Sequence, residues 1–278
     1  MYYGSPFYIL MILLLISVCV LLWFLIKKLT PRMQKLVVLS IMILNSLQHL
    51  FKWAIYPIYE GHGFTAISTA YNVCALLILI MPIAFISRSQ ALRDFVFLAG
   101  AFAGFITNIV PYWHIGIPVS ELGWEYARFY ICHSLLFYSG ILPYLLGMHR
   151  SNYKSAIYVG IGFLCSVAVI LINNTVCIAM GIYYPFTLDN LYDALYTMNP
   201  AMCMHPSDSF PWLMKIMEGM TPDVFLPAGS GVYVPILWYA IPTFIGFSIL
   251  VLAVVACVRN RRRFLKLKDL ITCRFSKR

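Results

Sequence analysis

Charged residues are scarce in this chain. Asp, Glu, Lys and Arg make up 11% of its 278 residues, whereas hydrophobic residues make up 62%. A soluble domain is nearer to a quarter charged, and the mean hydropathy here is +0.82. This composition excludes an ordinary soluble enzyme. It predicts an integral membrane protein whose spans leave no room for a separate soluble domain.

The sequence also lacks the cysteine spacings of metal sites. None of its eight cysteines forms a CxxC pair, and six lie inside apolar runs, where a free cysteine behaves as a small hydrophobe. We therefore expect no metal site and no cofactor. The first apolar run, residues 7–26, follows no basic segment and precedes no small-residue cleavage site, so it is expected to remain as a span.

Seven apolar segments are long enough to cross a bilayer, whose hydrocarbon core takes about 20 helical residues. Because backbone groups in lipid must satisfy each other, the spans must be helices. The predicted fold class is an all-α polytopic membrane protein. Spans are expected near 7–26, 36–56, 68–87, 94–112, 127–147, 156–182 and 232–258, with an outer loop at 183–231 and a basic tail at 259–278. Residues 211–220 can form a short surface helix in the outer loop.

The distribution of basic residues predicts the orientation. Seventeen of the 20 Lys and Arg residues fall beside span ends on one side, nine of them in the tail, and eight of the ten acidic residues fall on the other side. Since cytoplasmic loops carry the excess of Lys and Arg, the N-terminus is expected outside and the C-terminus inside. The net charge of +10 then reflects topology and not a nucleic-acid partner.

The polar side chains inside the spans share one depth, in the half nearest the outer face. A rise of 1.5 Å per residue places Cys74 and His133 each roughly 9 Å below that face. Since polar groups in hydrocarbon usually face one another or a wet cavity, one shared depth predicts one site. Its members are His49, Lys52, Asn72, Cys74, Asn108, His133, Asn173 and Asn174. The inner halves are expected to be almost free of such groups, with Asn45 near mid-depth as the main exception.

Each of these residues also has a structural explanation. Asn and His often hydrogen-bond between membrane helices and so hold a bundle together. Cys74 alone can be a packed hydrophobe, and Lys52 can extend its ammonium group toward the membrane surface. Residues with only structural roles should be scattered over both leaflets, whereas these lie in one. The clustering therefore favours a site.

A cysteine beside a histidine predicts nucleophilic chemistry. Cys74 can lose its proton to His133, and the resulting thiolate attacks acyl carbonyls. Lys52 or an Asn amide would stabilise the oxyanion, and a second Asn would orient the imidazole. The acyl carbonyls at this depth are those of lipid esters. The expected reaction is hydrolysis or transfer of a fatty acyl group at the outer leaflet.

Three parts of the sequence resemble a known family. They are residues 70–74 (Ala-Tyr-Asn-Val-Cys), residues 129–133 (Phe-Tyr-Ile-Cys-His), and the loop with Cys203, Pro206-Ser207-Asp208 and Pro211-Trp212. These parts resemble the YwaF-type bacterial integral membrane proteins and are similar to the TMEM-type ether-phospholipid acyltransferases of vertebrates. A more distant likeness is to the androgen-induced membrane hydrolases, which pair a Thr rather than a Cys with a His.

The resemblance implies a protein of the bacterial cytoplasmic membrane that acts on glycerolipids, with a lipid acyl donor and a lysolipid acceptor. By position, Cys74 matches the nucleophile and His133 the general base. One departure is Ala75, which follows the cysteine where the vertebrate proteins have His, and it bears on the substrate more than on the Cys/His pair. The resemblance adds four supporting residues: Tyr130, Cys203, Asp208 and Trp212.

Two other hypotheses compete with the enzyme. The same pocket can bind a small ligand for transport or reception, although receptor-like Asp-Arg-Tyr and Asn-Pro-x-x-Tyr motifs and duplicated halves are not found in the sequence. Alternatively, the chain is a scaffold whose basic tail binds anionic lipid of the inner leaflet. In the outer loop, Asp208 either lines the entrance to the pocket or is an ordinary solvated group.

Overall fold

A computed structural model describes residues 5–55, 65–110, 123–183, 186–206, 211–226 and 233–275. Within these ranges the chain is helical and contains no β-strand. The helices are α1 (Pro6–Lys27), α2 (Pro31–Leu50), α3 (Lys52–Ile55), α4 (Val73–Ile86), α5 (Gln90–Ile109), α6 (Trp124–Leu145), α7 (Ser155–Ala179), α8 (Leu191–Met198), α9 (Pro211–Gly219) and α10 (Leu237–Phe275).

Polar residues determine where several of these helices begin. The side chains of Ser5, Thr30, Asn72 and Ser89 each accept the backbone N–H three residues further on, at the starts of α1, α2, α4 and α5. Such caps satisfy one of the four N–H groups that have no acceptor within the helix. In α1 and α2 a proline follows the cap, where its missing N–H costs nothing.

Four helices within the described residues are long and apolar enough to cross a membrane. They are Pro6–Lys27, Gln90–Ile109, Ser155–Ala179 and Leu237–Ala256. The helices α2 and α6 have the length, with 20 and 22 residues, but carry more polar side chains. The helix α4 is apolar but has only 14 residues, which is about 21 Å at 1.5 Å per residue. A bilayer core is about 30 Å thick.

The core lies among α2, α4, α5 and α6, and the last two helices pack most closely. A Cβ atom added at Gly104 of α5 would lie 2.4 Å from the backbone N of Phe137 in α6. One added at Gly140 of α6 would lie 2.3 Å from the backbone N of Ala101 in α5. The two helices therefore meet backbone to backbone at both glycines, which is typical of helix pairs in membranes.

The third predicted span, 68–87, is not α-helical at its outer end. A single 3₁₀ turn, Ala66–Ser68, is followed by a bent segment in which Thr69 and Asn72 have extended backbone angles, and α4 begins only at Val73. The Asn72 side chain accepts the N–H of Ala75 at 2.9 Å, which fixes this start. An Asn side chain competes with helical hydrogen bonds in this way. A hydropathy profile alone does not predict that the helix starts at Val73.

The chain between α7 and α10 contains the expected short helix at Pro211–Gly219, together with α8. Its described part packs through a second apolar cluster, which includes Val167, Cys203, Met204, Met214, Trp238 and Tyr239. The predicted boundary between the last span and the tail, at residue 258, is not a helix end. The helix α10 continues to Phe275, because the basic residues that follow the span are themselves good helix formers.

Candidate functional site

The non-helical segment before α4 is held by two side chains from α2 and α3. The Nε2 atom of His49 donates a hydrogen bond to the carbonyl oxygen of Thr69 at 3.0 Å. The ammonium group of Lys52 donates to the carbonyl oxygen of Ile67 and lies 5.2 Å from the ring centroid of Tyr71. Lys52 is only 1% exposed. It therefore does not extend to the membrane surface but binds the backbone of this segment.

Two side chains from α7 hold the same segment from its other side. Asn174 donates to the carbonyl oxygen of Tyr71 at 3.1 Å and to that of Ile170, in its own helix, at 2.8 Å. Asn173 donates to the hydroxyl oxygen of Thr69 at 2.8 Å. Irregular backbone at membrane depth is tolerated only where the protein satisfies its polar groups. Three of these four side chains bind backbone carbonyl groups of the segment, and Asn173 binds a side-chain hydroxyl in it.

A consequence of this arrangement is that a helix N-terminus lies inside the bundle with Cys74 in its first turn. Asn72 is the cap, Val73 is the first residue of α4 and Cys74 the second. The first N–H groups of a helix have no acceptor within it and carry partial positive charge. Negative charge that develops beside Cys74 therefore meets oriented N–H dipoles.

The hydrogen-bonding partner that the structure gives Cys74 is Thr107 of α5. The Sγ and Oγ1 atoms are 4.0 Å apart. The thiol is half-buried against the apolar core, so that ionisation there requires a base or a compensating charge. The neighbouring Asn108 is buried, donates to the carbonyl oxygen of Gly104 at 2.6 Å, and accepts from Ser134 of α6 at 3.5 Å.

His133 lies on α6, and a backbone carbonyl of the same helix fixes the tautomer of its neutral ring. Its Nδ1 atom donates to the carbonyl oxygen of Phe129 at 2.8 Å. In the neutral ring the proton is then on Nδ1, and Nε2 is the basic nitrogen. Electrostatic interaction also links His49 with Lys52, Arg128 and His133. The end of the bundle near the start of α4 thus collects basic groups. A direct bond between Cys74 and His133 stays a prediction.

An apolar groove between α1 and α6 reaches this region. It has a volume of about 210 Å³ and is lined by Tyr130 and Ser134 of α6 together with Met11, Leu14, Leu15 and Val18 of α1, among others. The buried Tyr130 ring lies in a cluster with Tyr126 and Phe129. Ser134 lines the groove and also donates a hydrogen bond to Asn108, which is next to Thr107, the partner of Cys74. The groove and the surroundings of Cys74 therefore share a wall.

The loop residues suggested by the resemblance are placed differently. Cys203 is fully buried in the second apolar cluster, between α7 and α10, and its carbonyl oxygen accepts the N–H of Ile236 at 2.7 Å. Burial raises the pKa of the Cys203 thiol to about 12, so this thiol is unreactive at neutral pH. Asp208 lies outside the described residues, as does the side chain of Trp212.

One buried polar cluster at the opposite end of the bundle was not expected. Asp94 of α5 is 0% exposed and accepts hydrogen bonds of 2.8 to 3.0 Å from Gln90, His149, Ser151 and Ser155. The expectation that the inner halves hold almost no such groups is therefore wrong. The sequence did carry a signal, because Asp94 is one of only two acidic residues on the basic side.

Among the residues that the structure describes, no group of three or more His, Cys, Asp or Glu side chains is arranged to hold a metal ion. Comparison of the chain with protein-family models, with curated proteins and with solved structures gives no match. The functional argument therefore rests on the geometry of the chain's own residues.

Proposed function

We propose that this protein is a membrane-embedded enzyme that transfers or hydrolyses fatty acyl groups of lipids, with Cys74 as nucleophile and His133 as general base. The observation that carries the proposal is the position of Cys74 in the first turn of a helix that begins inside the bundle. Three buried polar side chains, together with the half-buried Asn173, hold the segment before that start. A cysteine held at a helix N-terminus by so many groups is more than a packed hydrophobe.

The proposal includes a seven-span topology with the N-terminus outside and the C-terminus inside. The helix α4 is about 21 Å long, so the non-helical residues before it would complete the crossing of a core of about 30 Å. The less apolar α2 and α6 would cross with their polar residues turned toward the bundle, where Asn45 of α2 donates to the carbonyl oxygen of Cys132 in α6 at 3.2 Å.

The proposed chemistry uses the groups around the start of α4. The Nε2 atom of His133 takes the thiol proton of Cys74, and the thiolate adds to the carbonyl of a lipid ester. The N–H groups of the first turn of α4, which have no acceptor within the helix, stabilise the oxyanion. The C–O bond then breaks, the leaving alkoxide takes the proton from His133, and a thioester remains. A lysolipid hydroxyl or water, deprotonated by the same imidazole, attacks the thioester and regenerates the thiol.

In this scheme we assign supporting roles to the residues that hold the segment before α4 and to the groove. Lys52 and the two Asn residues of α7 donate to the segment before α4, so they act by holding Cys74 in place and not as oxyanion donors. The groove between α1 and α6, apolar and about 210 Å³ in volume, would receive part of the acyl chain. Its shared wall, from Ser134 through Asn108 to Thr107, would bring the ester toward the thiol.

A second candidate function is transport or reception of a small anionic ligand. The specific observation in its favour is the helix that begins within the bundle, because many transporters bind anionic groups at the N-termini of discontinuous helices. Lys52 and the half-buried Arg128 add positive charge near that point. In this function Cys74 would be a neighbour of the ligand and not a reactant.

Covalent labelling separates the two functions. Purified protein in lipid would be treated with a chloroacetamide or acyl-phosphonate lipid probe, and the labelled cysteine would be identified by mass spectrometry. We expect labelling at Cys74 that is lost in Cys74→Ala and reduced at least tenfold in His133→Ala, since a thiol without its base is a poor nucleophile. Cys132→Ala, which removes a buried thiol next to His133 in sequence, serves as the matched control and should label normally.

Labelling that persists in Cys74→Ala, or that does not depend on His133, would refute the assignment of the nucleophile and base. Thermal unfolding of each variant shows whether a loss of labelling is only a loss of fold. In the transport alternative, Cys74→Ser reconstituted in vesicles should keep ligand uptake. In the enzyme, the same variant should lose acyl transfer to an added lysolipid and hydrolysis alike.

A further inference from the structure

The opposite end of the bundle contains a larger cavity than the one near Cys74. It has a volume of about 490 Å³ and lies among α5, α6, α10 and the connection between α6 and α7. This volume is within the range of pockets that hold small ligands. Among the described residues, the basic Arg88, Arg93, Arg150 and Lys154 lie in or beside the connections at this end of the helices.

The inner part of this cavity is apolar and continues along the helices. A second apolar cavity of about 190 Å³ adjoins it. Leu98 and Ala101 of α5, Ile141 of α6 and Val254 of α10 line both. We treat these two adjoining cavities, which share four apolar lining residues from three helices, as one apolar channel between the helices.

The outer rim of the same cavity is polar. His149, Arg150, Ser151, Asn152 and Tyr153 form it, in the connection between α6 and α7. Arg150 is exposed, and its guanidinium carries a permanent positive charge that suits a phosphate group. The cavity thus has an apolar channel and a basic polar rim.

The buried carboxylate of Asp94 gives this rim a fixed shape. It accepts hydrogen bonds from His149, Ser151 and Ser155, and thereby ties the connection to α5. Tyr144 shares a hydrogen bond of 2.7 Å with Ser151. Because Asp94 is fully buried and satisfied by these donors, its charge faces the protein and does not repel an anion at the rim.

We propose that this cavity binds an anionic phospholipid of the adjacent leaflet, with an acyl chain in the channel and the phosphate beside Arg150. The apolar channel selects a lipid over a water-soluble anion, and the basic rim selects an anionic headgroup over a zwitterionic one. The site shares no residue with Cys74, His133 or the segment before α4. It is therefore independent of the proposed acyl chemistry.

Native mass spectrometry of the full-length protein tests the proposal directly. The protein would be equilibrated in nanodiscs with equal amounts of phosphatidylglycerol and phosphatidylcholine, then released, and the retained lipid identified. We expect retained phosphatidylglycerol in the wild type. Ile141→Trp and Val254→Trp, which fill the channel from two different helices, should each lower retention at least fivefold.

The loss of a positive charge and the addition of a bulky side chain each have a control variant. Arg150→Gln should lower the preference for phosphatidylglycerol by about fivefold, the effect of one basic residue near an anionic surface. Lys154→Gln removes an equal charge from an exposed position that does not line the cavity, and should change little. Ile161→Trp adds the same indole at a position of α7 that is 50% exposed and away from the channel, and should retain lipid normally.

Undiminished retention in both channel-filling variants would overturn the site. Equal retention of both lipids by the wild type, or an unchanged preference in Arg150→Gln, would overturn the assignment of an anionic headgroup. Because Arg150 is exposed, its substitution is not expected to unfold the protein. The test therefore gives a result even if a Trp variant fails to fold.

Discussion

Replacing Gly104 with Ala should weaken the bundle by separating its most closely packed pair of helices. The added Cβ would lie 2.4 Å from the backbone N of Phe137 and 2.6 Å from the carbonyl oxygen of His133. Ordinary contact begins near 3.4 Å, so α5 and α6 must move apart by about 1 Å. Both opposing atoms belong to backbone, and no flexible side chain can yield instead.

The expected loss of stability is about 1 to 2 kcal/mol. Overpacking of this kind costs about 1–3 kcal/mol, and the better helix propensity of Ala returns up to about 1 kcal/mol. Equilibrium unfolding in mixed micelles would measure the difference. Gly246→Ala is the matched control, because its Cβ would meet nothing within 4 Å, and that variant should be neutral or slightly more stable. A Gly104→Ala variant as stable as the control would refute the close approach.

Three further predictions concern single side chains. Asn72→Ala should cost about 1 kcal/mol by removing the cap of α4, whereas Asn72→Ser should keep most of the stability, in the same unfolding assay. Asp94→Ala should cost about 3 kcal/mol or more because it leaves several buried donors without an acceptor, and the exposed Asp189→Ala should cost almost nothing. Cys203, with its pKa raised to about 12, should have a thiolate fraction at neutral pH about a thousandfold below that of an ordinary thiol. Alkylation of Cys203 should therefore be slow in folded protein and should speed up with every rise in pH up to about 11. In denaturant it should become rapid. Rapid alkylation of folded protein at pH 7 would contradict this burial.

Hydropathy was enough to predict most of the long helices. The first and sixth predicted spans, 7–26 and 156–182, correspond closely to Pro6–Lys27 and Ser155–Ala179. Both segments are long and mostly apolar, so the hydropathy pattern is clear. The third span is not helical at its outer end because the Asn72 side chain caps α4 locally and side chains from distant helices bind the residues before it. Contacts across the fold are not visible in a hydropathy profile.

The sequence predicted which residues lie together better than it predicted what those residues bind. Shared depth grouped His49, Lys52, Asn173 and Asn174, and the structure does bring them together around one segment. Depth could not show that three of these side chains bind backbone carbonyls and that Asn173 binds the Thr69 hydroxyl, since the direction of a side chain depends on helix rotation and on the partner's conformation. The cluster around Asp94 was missed for a related reason, because two of its donors come from a loop that the span pattern leaves out.

The segment before α4 also has a consequence for the order in which the chain can be assembled. His49 and Lys52 precede this segment in the sequence, but Asn174 lies 103 residues after Tyr71, the residue whose carbonyl it satisfies. Until α7 has been synthesised, the Tyr71 carbonyl therefore lacks the side chain that binds it in the folded protein. The segment before α4 is thus completed by residues that are added about a hundred positions later, so an early part of the chain depends on a late one for its final structure.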